Sequence, residues 1–296
     1  MCLGSVKALT PEAQRLAKRL GLQLDERSDH LLVYGVDRDI LAALRERDEV
    51  VVGISPRGVD AELAFASEDL LPLVLSRSEC RVLKIPRLHA ESGGRIVRAV
   101  NEVAIFPRRS ASLMSYAVRV DGAALFNDVA DGVLISTPLG SSAYARSAGG
   151  VLIDPDADVL EIVPVNSTAR RSPVIVPASK AVEIAEVRAR YTPEIVADGR
   201  TRVRLEGGTA RVWVGSYARL LKPAPTSRPC PDAKMSPSMR YVYRVLLERG
   251  PLTSRSIAEA TGLPIRTVEH ALRELRRLGL VEAKALGSAK VYSVRP

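Results

Sequence analysis

Apolar and polar positions alternate along this 296-residue chain in three successive rhythms. In the first, helical and strand periods take turns. Thr10-Pro11 starts a helix, a cap residue followed by proline at the first helical position, with Leu16 and Leu20 on one face. Residues 31–34 and 49–54 read as buried strands, with a short amphipathic helix at 40–47 between them. This alternation predicts a parallel α/β layer over residues 1–95. From 96 to 221 the helical period disappears. Strands are expected at 96–106, 115–120, 133–135, 159–165, 174–176, 181–185, 203–205 and 211–214, mostly antiparallel. In the third rhythm, from 238 to 296, helical spacing returns.

Between the last two rhythms, residues 222–237 hold Pro223, Pro225, Pro229, Pro231 and Pro237. Proline removes a donor and fixes φ, so the segment reads as a semi-stiff linker. The C-terminal segment then fits a small α+β winged helix-turn-helix. Helix one, 239–249, buries Met239, Val242, Leu246 and Leu247 and ends at Gly250-Pro251. A second helix covers 254–260. A third starts near Pro264, buries Val268, Leu272, Leu275 and Leu278, and is capped by Gly279. Strands 281–285 and 290–294, joined around Gly287-Ser288, make the wing.

Charge sharpens this reading. The formal net charge is +9, and residues 236–296 carry +6 of it. A basic excess concentrated in the last fifth of the chain points to double-stranded DNA as partner. The third helix leaves Arg266, Thr267, His270, Arg273 and Arg277 outside, where they can reach base edges, while Lys284 and Lys290 on the wing can reach phosphates. Winged helices also serve protein recognition, so the basic excess tips the assignment rather than the fold. Three cysteines and three histidines, all scattered, suggest neither a disulfide framework nor a metal site. No apolar run reaches a membrane span and no signal-like segment opens the chain, so a cytoplasmic protein with no membrane partner is expected.

The densest chemistry lies at 131–150. Asp131 precedes a β-branched run, then a turn of Thr137, Pro138 and Gly140, then Ser141, Ser142, Tyr144 and Ser147. Small residues let a ligand approach the backbone, and hydroxyls with one carboxylate can orient a nucleotide. The stretch resembles the central motif of the NAD kinase family. Asn101-Glu102-Val103 upstream resembles the family's Asn-Glu/Asp motif, followed by Arg109-Ser110-Ala111 and Val120-Asp121-Gly122. Downstream, the segment from Ser172 to Pro177 resembles its Arg-Pro-Leu-Val-Val-Pro, with Ser172 in place of Arg, and Asp198-Gly199-Arg200 resembles its Asp-Gly-Gln. The resemblance covers roughly residues 30–222. It implies an α/β lobe and a β-rich lobe, and a homodimer or homotetramer. It also implies a dinucleotide site for NAD or NADP built from Asn101, Glu102, Asp131, Ser142, Ala143, Tyr144, Ser147 and Asp198.

The family's phosphate-donor loop, Gly-Gly-Asp-Gly-Thr, corresponds here to Gly35-Val36-Asp37-Arg38-Asp39. Gly35 and Asp37 remain. Val36 cannot comfortably take φ > 0, and Asp39 is placed to cap the following helix, setting a negative charge beside any phosphate. Arg38 could pair with phosphate oxygens. By resemblance Asp37 is the general base on the ribose 2′-hydroxyl and disfavours a 2′-phosphate there unless Arg38 turns inward. Two readings stay open. One is a DNA-binding regulator that senses a dinucleotide through a degenerate kinase domain. The other is an active NAD kinase, using ATP or polyphosphate with Mg²⁺, joined to a DNA-binding module.

Overall fold

The structure, a computed structural model, describes residues 3–59, 61–71, 74, 79–224, 235–286 and 289–295. Most of the expected linker, the wing turn at Gly287-Ser288, Cys2 and Cys230 lie outside these residues. The chain forms two compact units. One gathers Met1–Ile40, Glu49–Val82 and Leu221–Pro296; the other gathers Leu41–Asp48 and Leu83–Leu220. The units divide at 82/83 rather than at the expected 95/96, because the long strand Cys80–Ser92 pairs with Arg95–Ala99 in the β-rich unit.

In the first unit the strands Gln23–Leu24, Ser5–Ala8, His30–Tyr34, Val50–Ser55 and Ala66–Ser67 lie side by side, all parallel. Val50–Ser55 is buried at every position, as its unbroken apolar run requires for a strand covered on both faces. Helix Pro11–Arg19 starts where expected: Thr10 Oγ1 accepts from Ala13 N at 3.2 Å. Helix Asp37–Glu46 starts three residues before the expected 40–47.

The same unit holds the C-terminal domain. Helices Pro237–Arg249, Ser254–Thr261 and Ile265–Arg277 pack around Met239, Val242, Leu246, Ile257, Val268, Leu272 and Leu275. A three-stranded antiparallel sheet follows the order Leu252–Thr253, Ala289–Val294, Val281–Leu286. Ser236 and Thr253 cap the first two helices through Met239 N and Ser256 N. Leu278, expected in the core, is 38% exposed: it is the C-cap, past the last inward turn. In the wing, Tyr292 and Val294 face the helices. Val291 points the other way and is 1% exposed, buried in the α/β layer's own cluster with Leu3, Val6, Leu16 and Phe65.

The second unit is β-rich. A six-stranded antiparallel sheet runs Val174–Pro177, Val159–Val165, Gly132–Ser136, Glu102–Pro107, Pro193–Ala197, Thr201–Arg204. A second antiparallel set runs Ala123–Ala130, Met114–Val120, Val182–Ala189, Ala210–Pro223. Val103, Ile105, Val133, Ile135 and Ile162 from the first meet Met114, Tyr116, Val118, Val182 and Val212 from the second in one core. The single strand expected at 96–106 is two strands in different sheets, broken at Val100-Asn101. Strand Cys80–Ser92 was not anticipated, because Lys84 and Arg87 interrupt its apolar run. Arg87 is nevertheless buried: it donates to the carbonyls of Leu44 and Arg47 at the C-terminal end of helix Asp37–Glu46. Cys80 is disulfide-bonded, a single bridge that three scattered cysteines did not suggest: an odd count excludes full pairing, not one bridge.

Candidate functional site

The β-rich unit contains a cleft of about 480 Å³ lined by Glu102, Phe106, Arg109, Asp131, Tyr144 and Arg202 among others. Its floor is set by a turn. Asp198, at φ +48°, accepts from Asn101 N at 2.8 Å and from Val100 N at 3.1 Å, and its Oδ2 takes Arg45 Nη1 at 2.5 Å. That carboxylate is saturated from inside the protein. It shapes the Asn101-Glu102 turn and leaves no free oxygen facing a ligand. Thr137 Oγ1 clamps the same turn by donating to Val100 O at 2.6 Å and accepting from Gly140 N at 3.1 Å. Gly140 is required there, since a Cβ would lie 2.1 Å from Asn101 O.

The hydroxyl-rich stretch therefore divides by role. Ser141 is fully buried, donating to Pro138 O and accepting from Ile153 N at 3.0 Å. Ser142 and Ser147 are exposed, and Ser142 Oγ donates to Leu139 O at 3.2 Å. Of the expected dinucleotide residues in the β-rich unit, the cleft gathers Glu102, Asp131 and Tyr144. Asn101, Ser142, Ala143, Ser147 and Asp198 are outside its lining. Tyr144 stacks on Phe106 with ring centroids 6.2 Å apart, leaving a half-exposed aromatic face. Glu102 is 5% exposed with Oε2 unpartnered, and burial, reinforced by Asp198, pushes its carboxyl up to about 7. Asp131 Oδ2 accepts from Asn166 Nδ2 at 2.8 Å. An aromatic platform, an unpartnered buried carboxyl and a second carboxylate suit a base and ribose hydroxyls. Sequence reasoning missed Phe106, Arg108 and Arg202 as lining residues; the Arg108-Arg109 pair at a strand end was the available signal.

The loop 35–39 lies in the other unit. Asp39 is the third residue of the helix and reaches back to accept from Val36 N at 3.0 Å, the reciprocal half of a capping box. Gly35 leaves the space this needs: a Cβ there would meet Asp39 Oδ2 at 2.4 Å. Asp37 accepts from Leu63 N at 2.8 Å and from Glu62 N at 3.1 Å. Arg38 is 79% exposed and lies 3.5 Å from Asp39 Oδ1. One backbone donor of this loop, Val36 N, is thus filled by the chain's own Asp39 carboxylate, and Asp37 and Asp39 set two negative charges where a triphosphate would lie. These residues do not fit a triphosphate. Among the described residues, no three His, Cys, Asp or Glu side chains gather into a metal-binding group.

On the third helix of the C-terminal domain Arg266, His270 and Arg273 are exposed and Thr267 is half-buried. Arg277 is exposed and pairs with Glu274 at 2.9 Å. Lys284 and Lys290 are exposed on neighbouring wing strands. No helix among the described residues is long and apolar enough to cross a membrane.

Comparison with known proteins agrees with both parts of this description. Residues 100–222 match the ATP-NAD kinase C-terminal domain, and residues 240–296 match the sugar-specific transcriptional regulator TrmB. The NAD kinase of Methanopyrus kandleri is 31% identical over 206 residues, covering 66% of this chain and 72% of that protein. That of Salmonella choleraesuis is 30% identical over 198 residues, covering 63% and 68%. A crystal structure of an NAD kinase from Archaeoglobus fulgidus in complex with ATP has a TM-score of 0.59 at 24% identity, covering 75% of this chain and 93% of that one. Yeast NADH kinase complexed with NADH has a TM-score of 0.61 at 19% identity, covering 76% and 84%. At these identities the two structures establish the fold alone, while the sequence relatives carry the lineage. With the Asn101 turn and the Asp131–Tyr144 segment folded around one cleft, the chain belongs to the NAD kinase family and carries a TrmB-type regulator domain at its C-terminus.

Proposed function

We propose that this protein is a DNA-binding transcriptional regulator whose NAD kinase-type domain binds a dinucleotide without phosphorylating it. The observation that carries this reading is the occupied loop 35–39. Val36 N is taken by Asp39, and Glu62 N and Leu63 N are taken by Asp37. A triphosphate would have to displace two carboxylates and then sit beside their charge. The dinucleotide cleft keeps Glu102, Asp131 and Tyr144. The exposed Arg266, His270 and Arg273 supply the contacts to DNA, presented as a pair of recognition helices by a homodimer or homotetramer.

The retained Asp37 favours a second reading, an active kinase in which this carboxylate accepts the ribose 2′-hydroxyl proton. Incubation of the purified protein with NAD, ATP or polyphosphate, and Mg²⁺ separates the two. No NADP is expected. Restoring the family loop with Val36→Gly, Arg38→Gly and Asp39→Thr together is expected to raise ATP affinity. Robust NADP synthesis by the unaltered chain, abolished by Asp37→Asn, establishes the kinase and removes the sensor.

A further inference from the structure

Helix Ile265–Arg277 carries two carboxylates, and they are used differently. Glu274 is paired with Arg277 at 2.9 Å. Glu269 is exposed, and among the described residues its carboxylate has no ion-pair or hydrogen-bond partner. Partners lie at the right spacing. Arg266 is three residues before it and Arg273 four after, the separations at which helical side chains meet. Both arginines are exposed, and neither pairs with it. Glu269 is also the fifth residue of the helix, past the first turn, so it neither caps the start nor gains from the dipole there. One turn before it on the same ridge, Ile265 is 42% exposed, a large apolar side chain left in solvent. A carboxylate on a surface that approaches DNA is repelled by the phosphates. Accepting a hydrogen bond from a base edge offsets that cost.

We propose that Glu269 is a specificity-determining residue that selects cytosine, with Ile265 against the methyl group of a nearby thymine. The inference rests on the DNA-binding reading above and adds part of the sequence that is read. An ionised carboxylate only accepts hydrogen bonds. In the major groove guanine offers two acceptors, N7 and O6, and thymine offers O4. Adenine sets the N6 donor beside the N7 acceptor, a pattern that suits Asn or Gln. Cytosine offers the N4 donor alone, so its edge attracts a carboxylate without opposing it. Four residues of helix rise about 6 Å, which places Ile265 within about two base-pair steps of the base that Glu269 meets. The thymine methyl is the apolar group the groove presents to such a side chain.

Binding-site selection on the full-length protein is the experiment, followed by titration of the selected duplex and its single-base variants. The parent is expected to require cytosine at one position of each half-site, and any other base there to weaken binding about tenfold. In Glu269→Ala that position is expected to lose its preference while the others keep theirs. Glu269→Gln, which both donates and accepts, is expected to move the preference from cytosine to adenine. Ile265→Ala is expected to lose a thymine within about two base pairs of it. Both side chains are exposed, so the variants are expected to melt with the parent. If Glu269→Ala instead tightens every sequence alike and leaves the selected site unchanged, the carboxylate is only a repelling charge, and this inference falls while the DNA-binding reading stands. A parent that selects no sequence overturns both.

Discussion

Single carboxylates decide most of what this site can do, and burial decides the carboxylates. Asp198 and Arg45 form a pair whose side chains are 3% and 10% exposed, with the amides of Val100 and Asn101 completing the set. Asp198→Ala leaves a buried guanidinium and two amides without an acceptor. A loss of about 3–5 kcal/mol in denaturant unfolding is expected. Arg45→Met in the same background is expected to recover part of it, and no recovery would show that the amides, not the charge, set the cost. Glu102 behaves in the opposite sense, because burial raises its carboxyl from the ordinary 4.5 to about 7. Between these values the unfolded chain has released its proton and the folded chain has kept it. Stability contributed by this group therefore falls as pH rises through that window and levels off above it. Glu102→Gln removes the dependence. The variant is expected to match the parent near pH 4 and to exceed it at pH 8 by up to about 3 kcal/mol. Thermal melts across that range check it, and a pH-independent difference sinks the assignment.

At the scale of elements, each functional segment is a short piece held by a neighbour's backbone. The segment 137–153 keeps its shape through Thr137 and Ser141, so Tyr144 is presented on a rigid support. Helix Asp37–Glu46 is closed at its start by Asp39 and at its end by Arg87. On helix Ile265–Arg277 one face is buried through Val268, Leu272 and Leu275, which orders the opposite face as a row of exposed cations. Arg273→Ala is expected to change sequence preference in a binding-site selection. Lys290→Ala is expected to weaken all sequences alike and to reduce the slope of affinity against salt by about one, the signature of a lost phosphate contact. Identical effects from the two variants would remove the distinction between base-reading helix and phosphate-holding wing.

At the scale of the molecule, the wing is not a free hairpin. Val291 is buried among Leu3, Val6, Leu16 and Phe65 of the α/β layer, with Leu286 packed beside it. Phe65 lies two residues beyond Leu63, whose amide Asp37 holds together with that of Glu62, and Lys222 donates to the carbonyls of Glu62 and Ala64. Val291→Asp places a charge in that cluster, and a loss of several degrees in melting temperature is expected. Hydrogen exchange is expected to rise together in residues 13–17 and 289–295. A rise confined to the wing would show that Val291 serves only its own domain.

Much of this protein was legible in the chain. Amphipathic spacing, caps and proline placement located every helix of the C-terminal domain to within two or three residues, because those elements are stabilised by contacts close in sequence. Four ordered motifs pointed to the family. The sequence also showed that the loop 35–39 departs from the family pattern, since Val36, Arg38 and Asp39 replace small or neutral residues. Partners distant along the chain decided the rest. Strand Cys80–Ser92 looked broken at Arg87 because the carbonyls that satisfy the guanidinium are some forty positions away. Residues 96–106 looked continuous because the carboxylate that breaks them is Asp198. Asp198 and Ser141 looked ligand-facing by type, yet both are saturated internally. Residue type and local periodicity determine which elements can form and which chemistry is on offer. Which carboxylates and hydroxyls stay free for a ligand depends on the hydrogen-bond partners the fold brings to them, and those lie up to 153 positions apart in this chain.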